Sequence, residues 1–283
     1  MTATAAQLLA TGAAQLRAAG IDGAARDARW LLAHALDIDA ARLSLVMPDP
    51  VGDAPAQRYR AFVDARARHQ PVAQIIGTRE FWGRRFRVTR DVLDPRPETE
   101  TLIEAALGLE FATVLDLGTG SGAIILTLLA ERAGARGVGA DQSPAALNVA
   151  VDNARMLAVQ DRVQLQQSDW FADIAGRFDL IVSNPPYIAA QEMAALSPDV
   201  RHWEPRMALV PDADDGTGLG AYRVICAQAR DFLHPRGWLM VEIGGTQGQA
   251  VQALFHAAGF DNVSVLRDMS GHDRVVRGQN AQQ

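Results

Sequence analysis

The chain has 283 residues, 48% hydrophobic and 21% charged, which is ordinary for a soluble globular protein and long enough for one large domain or two smaller ones. A formal charge of -6 and a pI near 5.5 argue against a protein that depends on broad attraction to nucleic-acid phosphates, though they leave room for a local basic patch. The single cysteine, Cys226, excludes an intrachain disulfide and a Cys-rich metal centre, and no metal is expected.

In chain order, the opening MTATAAQLLATGAAQLRAAG has neither the basic start nor the long apolar core of a signal peptide. No stretch reaches the ~20 apolar residues of a membrane span, so a cytoplasmic protein without a membrane partner is expected. Residues 1–74 read as a small helical domain. Ala28, Leu31, Leu32, Ala35 and Leu36 follow the stripe of an amphipathic helix. Tyr59, Phe62 and Val63 begin the pattern again after Pro55, a favoured first-turn residue, and Pro71 is expected to close the section.

Residues 75–93, IIGTREFWGRRFRVTRDVL, change character. Aromatic and β-branched residues around Gly83 predict a hairpin that bridges to the next domain. Arg84, Arg85, Arg87 and Arg90 read first as a solvated strand face and second as a contact for an acidic partner.

Residues 94–283 form the third section, and from about residue 111 strand and helix patterns alternate. The predicted strands are ATVLDLG, RGVGAD, RVQLQQSD, FDLIVSN, GWLMVEIG, NVSVLRD and RVVRG. Helical stretches between most of them predict an α/β fold with a seven-stranded, mostly parallel sheet covered on both faces. The last two strands, joined by MSGHD, allow a hairpin and one antiparallel strand. Cys226 falls in a helical pattern and is expected to be buried and inert.

Within this section, VLDLGTGSGAIILTLLAE reads as a strand, a glycine turn and a helix. Gly118, Gly120 and Gly122 permit a sharp bend and close ligand approach. With Ala123 in the third position of the dinucleotide pattern, the loop alone suits either NAD or S-adenosylmethionine. Asp141 ends the next strand nineteen residues after Gly122, where it can accept from both hydroxyls of an adenosine ribose. Asp169 and Trp170 end the third strand; a carboxylate and a flat ring suit adenine, and Asp169 can also cap a helix. Asp116, just before the glycines, can meet the amino-acid end of the ligand or orient the loop.

FDLIVSNPPYIAA raises a different question, because a buried strand stops abruptly at Asn184. In an open parallel sheet ligands bind outside the carboxyl ends of the strands. Pro185 and Pro186 fix their own φ and bias the residues before them towards extended backbone, and neither offers an N–H. What remains is acceptor-rich: the Asn184 side-chain oxygen and the Pro185 carbonyl can both receive protons from one planar NH2. Such an amine is a poor nucleophile, and two acceptors raise its electron density and aim it at an electrophilic methyl. Tyr187 packs against the planar group or lines its slot.

With these motifs together the sequence resembles the PrmC/HemK family, the protein-(glutamine-N5) methyltransferases of peptide-chain release factors. The resemblance runs nearly end to end through GTREFWG, PRPETE, VLDLGTGSGAI, QSDWF, SNPPYI, DVRHWEP and GHDRVV. It implies a Rossmann-like class I methyltransferase domain, a small helical N-terminal domain for substrate docking and a linking β-hairpin. The implied cofactor is S-adenosyl-L-methionine, with S-adenosyl-L-homocysteine as product. The implied partner is a class 1 release factor, whose Gly-Gly-Gln glutamine is methylated, with no direct nucleic-acid contact. Gly118, Thr119, Gly120, Ser121, Gly122, Asp141, Asp169, Trp170 and Asn184 then bind the cofactor. Asn184, Pro185, Pro186 and Tyr187 bind the glutamine amide, with Asn184, Pro185 and Tyr187 acting in catalysis. Arg96, Glu98 and Thr99 of PRPETE read either as a helix start or as active-site lining. Two departures stand out: Asp94 where family members often have Ile, and VPDADDGTGLGAYR, longer and more acidic than usual. Rival readings are a ribosomal-protein glutamine methyltransferase, a DNA adenine-N6 methyltransferase, an NAD-dependent oxidoreductase and a non-catalytic cofactor-binding module.

Overall fold

The first helix, α1 (Ala5–Ala18), starts from a reciprocal cap: Gln7 N donates to Thr4 Oγ1 at 3.3 Å, and Thr4 N donates to Gln7 Oε1 at 2.9 Å. In the computed structural model, which describes residues 3–212 and 214–281, it is followed by α2 (Ala24–Ala35), α3 (Asp53–Ala67) and α4 (Val72–Ile76). The predicted stripe of α2 faces inward: Ala28, Leu31, Leu32 and Ala35 are fully buried against Leu16, Leu43 and Val63. Pro71 does not close the helical section. It stands at the N-cap of α4, and Gly77, at φ +77°, ends that helix.

The chain up to Thr78 packs as one unit together with Ser197–Trp203, a segment from much later in the sequence. Asp199 explains the attachment: its carboxylate meets Arg66 at 2.8 Å and His69 at 3.0 Å, and Arg66 also holds the buried Asp27 at 2.8 Å. Trp203 Nε1 donates to the Arg68 carbonyl at 3.1 Å, and Gln74 Nε2 donates to the Trp203 carbonyl at 2.9 Å.

The second unit comprises residues 79–196 and 204–283. Strands β1 (Thr78–Phe81) and β2 (Arg84–Arg87) pair around Gly83, at φ +65°. Arg84 meets Glu131 at 2.7 Å and Arg87 meets Asp152, so two of the four arginines are engaged within the chain, while Arg85 and Arg90 are exposed.

Then follow α5 (Glu100–Leu107), β3 (Thr113–Leu117), α6 (Ala123–Glu131), β4 (Arg136–Asp141), α7 (Pro144–Met156), β5 (Val163–Gln167) and β6 (Phe178–Ser183). After α8 (Pro198–Trp203) come α9 (Gly220–Gln228), β7 (Leu233–Glu242), α10 (Gly248–Ala257), β8 (Asp261–Arg267) and β9 (Asp273–Gln279). The seven-stranded sheet has the order β5-β4-β3-β6-β7-β9-β8, parallel from β5 to β7 and antiparallel at both ladders of β9. β7 begins before the predicted Gly237: Phe178 pairs with Leu233, and the register then shifts to Leu180–Trp238, with Arg236 at φ +64° between.

Alternation along the strands builds a core on each face. Val114 and Val182 pack with Leu102, Ile125 and Leu128 on one face, and Leu115, Leu117 and Ile181 pack with Tyr222, Ile225 and Phe255 on the other. Because β3 has β4 on one side and β6 on the other, the topology reverses at its carboxyl end, where such sheets leave a crevice for a ligand.

Candidate active site

The turn after β3 holds Gly118, Gly120 and Gly122 at φ +69°, +56° and +79°, a region that side chains disfavour. Asp116 lies fully buried beneath it, its Oδ2 accepting from Thr119 Oγ1 at 2.7 Å and from Ile125 N at 3.4 Å. Of the two roles the sequence left open, this contact orients the loop. Burial pushes its carboxyl up to about 7, against the pull of the Thr119 and Ile125 bonds. The other brace is Asn153 on α7, whose Nδ2 donates to Ser121 O at 2.8 Å and Arg87 O at 3.1 Å while its Oδ1 accepts from Arg87 N at 2.6 Å. Its only mark in the sequence is an amide within an alanine-rich helix.

Asp141, at the end of β4, accepts from Gly120 N and from Ser143 N, each at 2.8 Å, one bond per carboxylate oxygen. Each oxygen keeps lone-pair capacity for a ligand hydroxyl. Burial raises the Asp141 pKa, and the Ser143 and Gly120 bonds oppose that rise. Beyond β5, Trp170 adopts φ +50°, and Ser168 holds the turn by donating to Trp170 O at 2.9 Å and accepting from Asp173 N at 3.1 Å. Turn residues rather than a helix follow the exposed Asp169, so its alternative role as a helix cap falls away.

These pieces surround one cleft, with about 1250 Å³ of empty space including its mouth. Gly118 to Ser121, Asp141, Asp169, Trp170, Asn184 and Pro186 stand on its wall, joined by Arg96, Thr99, Pro205 and Met207. Gly122, Pro185 and Tyr187 adjoin these residues in the chain and are not among those that line the cleft. Gly122 is the N-cap of α6, where a Cβ would come within 2.7 Å of Leu126 Cδ1.

On the β6 side, Ser183 Oγ donates to Leu117 O at 2.7 Å and ties the two strand ends together. Asn184 Nδ2 donates to Thr99 Oγ1 at 3.3 Å, and Thr99 Oγ1 donates to Glu242 Oε2 at 2.6 Å. Glu242 ends β7 and is fully buried; burial pushes its carboxyl up to about 7, opposed by Thr99 and Arg274. Tyr187 is anchored by Gln247 Nε2, which donates to its carbonyl at 3.0 Å. A Cβ on Gly218 would lie 2.2 Å from that carbonyl oxygen, so the chain passes there only as glycine. Burial, followed by the nearby Glu242, raises the Tyr187 hydroxyl to about 12.

PRPETE serves both of its readings. Pro97–Thr99 form a 3-10 turn leading into α5, while Arg96 and Thr99 stand on the cleft wall and Glu98 is exposed. Arg96 meets the buried Glu204 at 2.5 Å. Asp94 is buried, its carboxyl raised by burial, with Arg79 at 3.7 Å. In the acidic loop, Asp214 folds onto backbone, accepting from Ala190 N at 2.8 Å and Gly218 N at 2.9 Å, which lowers its pKa. Cys226 is buried and its thiol is pushed up to about 12, the inert position expected of it. Glu242, Asn153 and Glu204 were missed by sequence reasoning; a lone acid at a strand end or an amide within a helix carries no periodic signal.

The PrmC N-terminal domain family matches residues 7–77, and the methyltransferase small domain family matches residues 91–198. The release factor glutamine methyltransferase of Cereibacter sphaeroides is 60% identical over 272 residues, covering 96% of this chain and 97% of that protein. The release factor glutamine methyltransferase of Rhodospirillum rubrum is 42% identical over 273 residues, covering 95% and 83% respectively. Among solved structures, a methyltransferase from Pyrococcus furiosus superposes with a TM-score of 0.55 at 15% identity, over 77% of this chain and 98% of that one, a likeness of fold. The chain belongs to the release factor glutamine methyltransferase family.

Proposed function

We propose that this enzyme uses S-adenosylmethionine to methylate the side-chain amide nitrogen of the glutamine in the Gly-Gly-Gln motif of class 1 release factors, in support of translation termination. The observation that carries the reading is the setting of Asn184 on the wall of a glycine-turn cleft. Its Nδ2 is turned towards Thr99, which leaves Oδ1 to accept from an incoming N–H.

The residues fit the cofactor. The positive-φ glycine turn offers backbone without side chains in the way, Asp141 offers acceptors for the ribose hydroxyls, and Trp170 offers a flat face to adenine beside the Asp169 carboxylate. When bound, S-adenosylmethionine supplies an electrophilic methyl on a sulfonium, and the sulfur keeps the bonding electron pair. Asn184 Oδ1 and the Pro185 carbonyl accept the two N–H bonds of the glutamine amide and orient its nitrogen lone pair. The fixed dipoles of the same turn stabilise the charge that develops on nitrogen, which then sheds one proton. Hydride transfer gains nothing from this turn.

Among the described residues no helix is long and apolar enough to cross a membrane. A release-factor substrate places the enzyme in the cytoplasm with the translation machinery. The test is transfer of labelled methyl from S-adenosylmethionine to purified release factor, ribosomal proteins and DNA, compared side by side. Label on the Gly-Gly-Gln glutamine is expected; label on DNA or ribosomal protein alone would falsify the proposal.

A further inference from the structure

An asparagine side chain can enter a site in either of two flips, and only one of them presents an acceptor to a substrate amine. We infer that Thr99 and Glu242 are positioning residues that select this flip, through a polar relay running from Glu242 to Thr99 to Asn184. The inference rests on the proposed role of Asn184 and adds what makes that role possible.

The argument follows from the number of protons available. A carboxylate is an acceptor only, and a threonine hydroxyl has one proton to give. Thr99 Oγ1 lies 2.6 Å from Glu242 Oε2, and two acceptors at that distance repel unless a proton lies between them. While Glu242 is ionised, the Thr99 proton therefore goes to it, and towards Asn184 Oγ1 can only accept. Asn184 must then present Nδ2 to Thr99, as it does at 3.3 Å, and its Oδ1 is directed to the acceptor side of the cleft. Thr99 is 4% exposed and Glu242 1%, so water does not compete for these bonds.

The relay has a condition built into it. A protonated Glu242 can donate to Thr99 Oγ1, which frees the Thr99 proton for Asn184 Oδ1 and lets the amide reverse. The groups facing Glu242 are Thr99, Glu98 and Arg96 from the turn before α5, Arg274 on β9, Tyr222 on α9 and Tyr187 after Asn184. Tyr222 Oη donates to the Glu242 backbone carbonyl at 2.9 Å and leaves the carboxylate to Thr99. Burial outweighs Arg274 and Arg96 and raises the carboxyl to about 7, so the relay's direction changes near neutral pH.

The experiment uses the full chain with Thr99→Val, Thr99→Ser and Glu242→Gln, each compared with wild type in two independent readouts. In methyl transfer to release factor, Thr99→Val is expected to lower kcat about 100-fold, with KM for release factor and affinity for S-adenosylhomocysteine within about threefold. Thr99→Ser, which keeps the hydroxyl, should recover kcat to within about threefold. Wild-type kcat should fall as pH drops below about 7, and Glu242→Gln should lack that acid limb. In ¹⁵N spectra recorded with S-adenosylhomocysteine, the Asn184 side-chain NH2 signals should shift in Thr99→Val and stay in place in Thr99→Ser. Wild-type kcat in Thr99→Val, equal losses in Val and Ser, or an acid limb retained in Glu242→Gln each overturns the relay. Should the wild-type protein fail to methylate release factor, the function proposal falls, and the Asn184 signals alone decide the relay. Should transfer occur while neither kcat nor those signals respond, the relay alone falls.

Discussion

The two walls of the cleft solve their positioning problems at different ranges in the sequence. On the glycine-turn wall, Asp141 is held by Gly120 and Ser143, and the turn rests on Asp116 through Thr119. Gly120 reaches Asp141 across 21 residues and Ser121 reaches Asn153 across 32, while the bonds of Thr119 to Asp116 and of Ser143 to Asp141 lie within a single turn. On the Asn184 wall the bonds are remote: Asn184 reaches Thr99 across 85 residues, and Thr99 reaches Glu242 across 143. A site that binds a ligand common to many proteins can be written locally. A site that must present one atom of one amide is assembled from two strand ends and a helix start.

The largest effect should come from the remote wall. Asn184→Ala is expected to lower methyl transfer about 10³-fold while S-adenosylhomocysteine still binds within a few-fold of wild type, measured by transfer assay and calorimetry. Comparable losses in binding and in rate would erase the distinction between the walls. Next, Asp141→Ala should weaken S-adenosylhomocysteine by about 100-fold, since it removes hydrogen bonds to a charged acceptor and releases Gly120. Its kcat at saturating cofactor should fall far less.

A paired substitution sharpens the comparison, because each wall has a buried acid raised to about 7, Asp116 on one and Glu242 on the other. A carboxyl with a raised folded pKa stabilises the fold at pH below its unfolded value, and that contribution is lost as pH rises through the folded value. Asp116→Asn and Glu242→Gln escape this loss. Each should therefore melt progressively higher relative to wild type between pH 5 and pH 8, by up to roughly 3 kcal/mol in stability. Their functional signatures should separate: Asp116→Asn shifts cofactor affinity, and Glu242→Gln shifts kcat. Identical kinetic signatures would show that the two acids are interchangeable ballast. The smallest effect belongs to Cys226, which should resist iodoacetamide at pH 8 in the folded enzyme, as read by intact mass, with activity unchanged.

Legibility in the sequence divides along the same line. The strand segments, the glycine turn, Asp141 and the Asn184 turn could all be read from contiguous patterns, because backbone constraint and hydrophobic alternation act over neighbouring residues; the order of the strands in the sheet could not. The hairpin was legible through Gly83, but its core is Thr78–Arg87, since only there do the two strands pair. Pro71 looked like a terminus and is a cap, for proline suits the first turn of a helix as well as its far end. Glu242 was hidden inside a correctly predicted strand, where nothing distinguishes an acid that ends in the core from one that ends in water. Thr99 was visible only as one of two readings of PRPETE. Its partners are decided by tertiary packing, which no local pattern encodes.

The attachment of Ser197–Trp203 to the helical unit has a consequence for modularity. A fragment cut at Arg79 would keep Asp199 and Trp203 yet lose Arg66, Arg68, His69 and Gln74, the groups that hold them. Exchange of the helical unit between relatives is therefore not a single splice. The graft must carry the seven residues of 197–203 along with the first 78, because inheritance here follows the packing and not the order of the chain.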